Sequence, residues 1–74
     1  MDINSGARRV ADNVSAAIAA HPATLATVAQ AADIDQVDLS ARLHGGAALT
    51  VNDLIRVGGF LRIRPARFME GAAA

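Results

Sequence analysis

The stretch Thr24–Phe68, TLATVAQAADIDQVDLSARLHGGAALTVNDLIRVGGFLRIRPARF, decides the fold. Its part VAQAADIDQVDLSARLHG predicts two short helices folded around a tight turn. The first is expected over Leu25–Ala32 behind a Thr24 cap, the second over Gln36–Leu43. Gly45 stops the second, because glycine takes the left-handed conformation that closes helices without a Cβ penalty. Asp35 precedes it as a cap whose carboxylate accepts the unpaired amides of Val37 or Asp38. Asp33 and Ile34 make the turn. One turn residue must adopt positive φ, and Asp tolerates that better than most residues other than glycine, so Asp33 is the expected position. Ala29 lies where the two helices would cross, and its small side chain permits close approach. Val28, Ala32, Ile34, Leu39 and Leu43 supply the apolar contacts, and the four-residue spacing of Leu39 and Leu43 puts both on one helix face.

This is the spacing of a helix-turn-helix, and the stretch resembles the lambda-repressor and Cro-like (XRE-type) DNA-binding family. The likeness continues through LSARLHG and LTVNDLIRVGGFLRIRPARF, similar to that family's third helix, loop, Thr-capped fourth helix and short closing helix. The resemblance implies an all-α fold, a compact four- to five-helix bundle, in which the helix 36–43 enters the major groove of double-stranded operator DNA. It implies base contacts from Gln36, Val37, Asp38 and Ser40. It implies sugar-phosphate contacts from Thr24, Arg42, His44, Gly46, Thr50 and Asn52. It also implies a homodimer, at least on DNA, with Phe68 and Met69 near the two-fold surface. Three positions depart from the family pattern: Leu25 where Gln is frequent, Gly58-Gly59 where a small apolar pair is usual, and Arg64 where a capping Ser or Asp is common.

Several of these residues have a plainer alternative, and Asp38 and Ser40 are the weaker candidates. Gln36 can pair in two-pronged fashion with adenine, or be a solvated residue after a cap. Val37 can touch a thymine methyl, or be one exposed valine. Asp38 can accept from a cytosine amino group. Arg42 can reach phosphate or guanine, or remain solvated. Thr50 is an N-cap in either case. Phe68 can complete the core, leaving Met69 and its neighbours for pairing.

Outside the motif, a first helix is expected over Ala7–Ala20, capped by Asn4 or Ser5, with Val10, Val14 and Ile18 in one stripe. His21-Pro22 ends it, since the residue before proline is pushed out of the helical region. A fourth helix is expected over Val51–Leu61, with Val51, Leu54, Ile55, Val57 and Leu61 inward. A short fifth begins near Pro65, and residues 71–74 read as a frayed tail. The expected core is Val10, Val14, Ile18, Val28, Leu39, Leu43, Leu54, Ile55, Leu61 and Phe68. Gly58 and Gly59 should each cost their helix about 1 kcal/mol relative to alanine.

Composition narrows the function. A chain of 74 residues reads as one domain, residues 1–74. It contains no cysteine, which excludes disulfides and thiolate zinc sites. His21 and His44 lack a third ligand at metal spacing, so neither metal nor cofactor is expected. Ser5, Ser15 and Ser40 have no base or oxyanion pattern nearby, and nothing argues for an enzyme or a small-molecule substrate. No apolar run reaches a membrane span, and Ala16–Ala20 is too short for a signal core. The expected location is the cytoplasm of a bacterial or phage-infected cell. Seven basic residues, all arginine, balance seven acids. The balance is uneven: residues 1–40 hold two arginines and five acids (−3), residues 41–74 five arginines and two acids (+3). Many DNA-binding domains are basic, and Asp35 and Asp38 stand at the start of the recognition helix. That acidity favours a rival reading, a protein-interaction module on the same scaffold, either antitoxin-like or a phage protein binding a host factor. A DNA-binding domain of a longer repressor is a third option.

Overall fold

Cap chemistry sets the helix limits in the computed structural model, which describes residues 5–71. Among them lie five helices and no strand: α1 Ser5–Ala20, α2 Leu25–Ala32, α3 Gln36–Leu43, α4 Val51–Leu61 and α5 Pro65–Phe68. The Thr24 hydroxyl accepts the Thr27 amide at 3.2 Å. Asp35 Oδ1 accepts the Val37 and Asp38 amides at 2.9 and 3.2 Å. Thr50 and Asp53 form a reciprocal capping box, hydroxyl to amide at 3.0 Å and carboxylate to amide at 2.9 Å. Caps of this kind stabilise a helix by about 1 kcal/mol each. Ser5 lies inside α1, which begins two residues before the expected Ala7; Asn4 is outside the described residues.

The stops are equally local. Asp33 has φ 58° and ψ 43°, and the Ile34 amide reaches back to the Ala29 carbonyl at 2.9 Å. Gly45, at φ 89°, closes α3. Its amide bonds Arg42 and that of Gly46 bonds Ala41, at 3.3 and 2.7 Å, so α3 ends in a Schellman motif. Arg62 ends α4 at φ 61°, a left-handed position that the sequence does not announce. There the Ile63 amide bonds the Gly58 carbonyl at 2.9 Å. The chain thus turns back over Gly58, where a Cβ would run into the Ile63 carbonyl oxygen. A Cβ on Gly59 would meet nothing within 4 Å.

All five helices feed one core: Val14 and Ile18 from α1, Val28, Ala29 and Ala32 from α2, Leu39 from α3, Leu54, Val57 and Leu61 from α4, Phe68 from α5. Val10 and Leu43, expected inside, are half-buried against it. Ile55 and Val51 correct the expectation more sharply, standing 53% and 62% exposed. Residues advance by about 100° around a helix. With Leu54, Val57 and Leu61 facing the core, Ile55 and Val51 are carried off it. Phe68 is fully buried on a single helical turn. Asn13 of α1 holds that turn, donating from Nδ2 to the Phe68 and Glu70 carbonyls at 2.9 Å each. The radius of gyration, 11.3 Å, matches the about 11 Å of a compact chain of this length. No helix among the described residues is long and apolar enough to cross a membrane.

Candidate nucleic-acid interface

Helix α3 is seated by one fully buried residue, Leu39, with Leu43 half-buried beside it. Its opposite side carries Val37, Ser40, Ala41 and His44, at the i, i+3, i+4, i+7 spacing of one face. Ala41 and Ser40 are small, so another surface can come close to the helix backbone. Gln36, Val37, Asp38 and Ala41 are exposed; Ser40 is half-buried. Val37 is 75% exposed, which makes it an apolar residue with no use in the core.

Beyond α3 the expected contacts divide into free and committed groups. Asn52 is an exposed side chain in the first turn of α4. The hydroxyls of Thr24 and Thr50 accept their helix amides. His44 Nδ1 lies 2.7 Å from the Ser40 carbonyl; a carbonyl can only accept, so Nδ1 is the donor in this contact. The Gly46 amide is consumed by Ala41, so this residue has no backbone donor to offer a phosphate.

Arg42 is the main change from the sequence reading. Rather than standing solvated, its Nη1 lies 3.2 Å from both carboxylate oxygens of Asp53. The two side chains are 29% and 9% exposed. Asp53 also accepts the Thr50 amide, so a single carboxylate caps α4 and ties it to the last turn of α3. The Thr50-x-x-Asp53 spacing announces the cap; nothing in the sequence announces the partner 11 residues away. Arg42's charge is therefore matched inside the fold. The turn and first half of α3 add Asp33, Asp35 and Asp38, of which Asp35 is engaged as a cap.

One cation near this region was not singled out by the sequence. Arg8 of α1 lines an open groove of about 720 Å³ with Asp12, Arg42, His44 and Gly45. It arrives there through the packing of α1 against α3, which no local pattern encodes. Arg56, Arg62 and Arg64 are exposed on α4 and the α4–α5 connection. Arg67 pairs with Glu70 at 3.3 Å. Of the two residues expected at a pairing surface, Phe68 is 2% exposed and completes the core instead; Met69 is 48% exposed. His21 accepts the Ala23 amide and leans on the Phe60 ring, 5.4 Å between centroids. No group of three or more metal-ligating side chains occurs among the described residues.

Comparison of the chain with protein-family models, with characterised proteins and with solved structures found no match.

Proposed function

We infer that this chain is a sequence-specific double-stranded DNA-binding regulator of the Cro or repressor type. In this reading α2, the Asp33 turn and α3 act as a helix-turn-helix, and α3 lies in the major groove of an operator. The observation that carries the reading is the form of α3. It is capped at both ends, anchored by Leu39, and turns toward solvent a face that carries Val37 and the small Ala41, flanked by Gln36. Gln36 reads adenine, Val37 a thymine methyl, Ser40 and Asp38 neighbouring base edges. Thr24, His44, Asn52 and the first turn of α4 approach the sugar-phosphate strands, with Arg8 an uncommitted cation in the groove that His44 also lines.

The charge pattern shapes the affinity. Phosphate neutralisation supplies most of nonspecific binding, and α3 offers no unpaired arginine. One copy therefore holds random DNA weakly, and two copies on a two-fold operator supply the missing affinity. The test is a salt-titrated binding measurement against regulatory DNA of the source genome. A shallow salt slope with clear preference for one operator is expected. A chain that is folded by circular dichroism yet ignores DNA at low salt would refute the reading. It would promote the protein-interaction alternative, which the 75% exposure of Val37 beside Asp38 favours.

A further inference from the structure

Asp53 is the one buried charged residue among those described. Its part in the α4 cap does not require that burial. The Thr50 amide needs one carboxylate oxygen, at 2.9 Å, and a cap acceptor serves as well at the surface. Taking a carboxylate out of water is costly unless a cation accompanies it. The cation is Arg42, whose Nη1 stands 3.2 Å from both oxygens. Arg42 is also the one basic residue of α3. It lies in the last turn, at the open groove that Arg8 and His44 line. Its side chain is 29% exposed, so a rotation away from Asp53 brings its charge to the surface.

We propose that Asp53 stands in for a DNA phosphate and keeps Arg42 off the backbone of random DNA. The inference rests on the regulator reading above and names the residue that sets its discrimination. A carboxylate and a phosphate compete for one guanidinium with the same charge-assisted hydrogen bonds. A freed arginine on α3 would meet any sequence alike, since phosphates carry no base information. Specificity is a difference of affinities, and it widens when attraction to the wrong partner is removed. Asp53 removes it from within the fold. The competition favours Asp53 because a sheltered pair is screened by salt much less than an exposed charge is, whereas a phosphate must approach through the ions of the solvent. Asp38, exposed in the first turn of the same helix, adds repulsion of the same sign. Base contacts then decide whether α3 stays.

The test uses the full chain and two duplexes, one that it selects from a randomised pool and one of scrambled sequence. Asp53→Asn keeps an oxygen for the Thr50 amide but no charge for Arg42. Folded by circular dichroism, this variant should bind the scrambled duplex about five- to tenfold more tightly at about 0.1 M salt, and its salt slope should steepen by about 0.9, the increment of one phosphate contact. The selected duplex should gain less, because base contacts already pin α3 there. Asp12→Asn removes an exposed acid from the same groove without freeing an arginine, and should change scrambled-duplex binding by less than about twofold. Arg42→Gln retains a donor for Asp53 and gives an independent reading if Asp53→Asn fails to fold. It should leave the affinity and slope on the scrambled duplex as they are. Unchanged binding by folded Asp53→Asn, an equal gain from Asp12→Asn, or a slope lowered by about one unit in Arg42→Gln would overturn the proposal. A chain that selects a duplex yet shows any of these loses the role of Asp53 and keeps its regulator reading. A chain that selects no duplex, and ignores the scrambled one even at low salt, loses both.

Discussion

The Arg42–Asp53 pair couples α3 to α4, and its strength can be worked out from its surroundings. A fully exposed ion pair contributes at most about 1 kcal/mol, whereas removing one partner of a fully buried pair costs about 3–5 kcal/mol. This pair lies between those limits, with Asp53 nearly buried and Arg42 29% exposed. A single guanidinium nitrogen serves both carboxylate oxygens, which is weaker than a two-nitrogen fork. Arg42→Ala should therefore cost about 1–2 kcal/mol, near the net value of charged hydrogen bonds. Asp53→Ala loses the same pair plus its half of the capping box, for about 2–3 kcal/mol in all. The double variant should cost little more than Asp53→Ala alone, giving a coupling of about 1–2 kcal/mol. Urea melts of the four proteins by circular dichroism measure all three quantities. Losses that add to within about 0.5 kcal/mol would mean no coupling, and α3 would owe its seating to Leu39 and Leu43 alone.

The neighbouring glycines should respond oppositely. Gly58→Ala forces a methyl against the Ile63 carbonyl and should destabilise by about 1–3 kcal/mol, while Gly59→Ala should stabilise the dilute chain by about 0.5–1 kcal/mol; thermal melts that move both the same way would contradict the packing over Gly58. Asp33→Gly should be neutral or stabilise by up to about 1 kcal/mol, and Asp33→Val should destabilise, because a β-branched residue fits positive φ poorly; equal melting temperatures would count against the turn. Leu39→Ala should cost about 2–5 kcal/mol, a large share of a small domain's stability, read as a lowered urea midpoint. Gln36→Ala should lose about 1–3 kcal/mol on the preferred operator with little change on random DNA, and a uniform loss across sequences in a binding assay would remove Gln36 from base reading.

The limits of α2, α3 and α4 were legible because they rest on local chemistry. Thr24, Asp35 and Thr50 are acceptors placed just before apolar periodic segments, and Asp33 and Gly45 are residues that tolerate positive φ. Arg62 takes the same backbone conformation without any compositional sign, because the turn is imposed by Ile63 closing over Gly58. Leu54 and Ile55 are adjacent and equally apolar; tertiary placement of α4 decides which one is buried. Arg42 looked free because its partner lies across a loop on another helix. In the candidate interface the exposure of Gln36, Val37 and Asp38 followed from the period of α3, whereas the commitment of the Gly46 amide and the position of Arg8 came only from how the helices pack.

The placement of Phe68 has a consequence during synthesis. The ribosome delivers α1 first and α5 last, so the slot that Phe68 fills stays open until α1 to α4 have all been made. At about 5–20 residues per second, adding the stretch from Arg62 to Phe68 takes about 0.4–1.4 s. Helical domains rearrange in microseconds to milliseconds. Until that last turn is free to dock, any arrangement of the earlier helices has an unfilled hole in its core. The chain settles only when a single turn bearing one aromatic ring arrives and Asn13 fastens it. Until then the apolar walls of that hole, Val14 and Val57 among them, are open to whatever else the nascent chain meets.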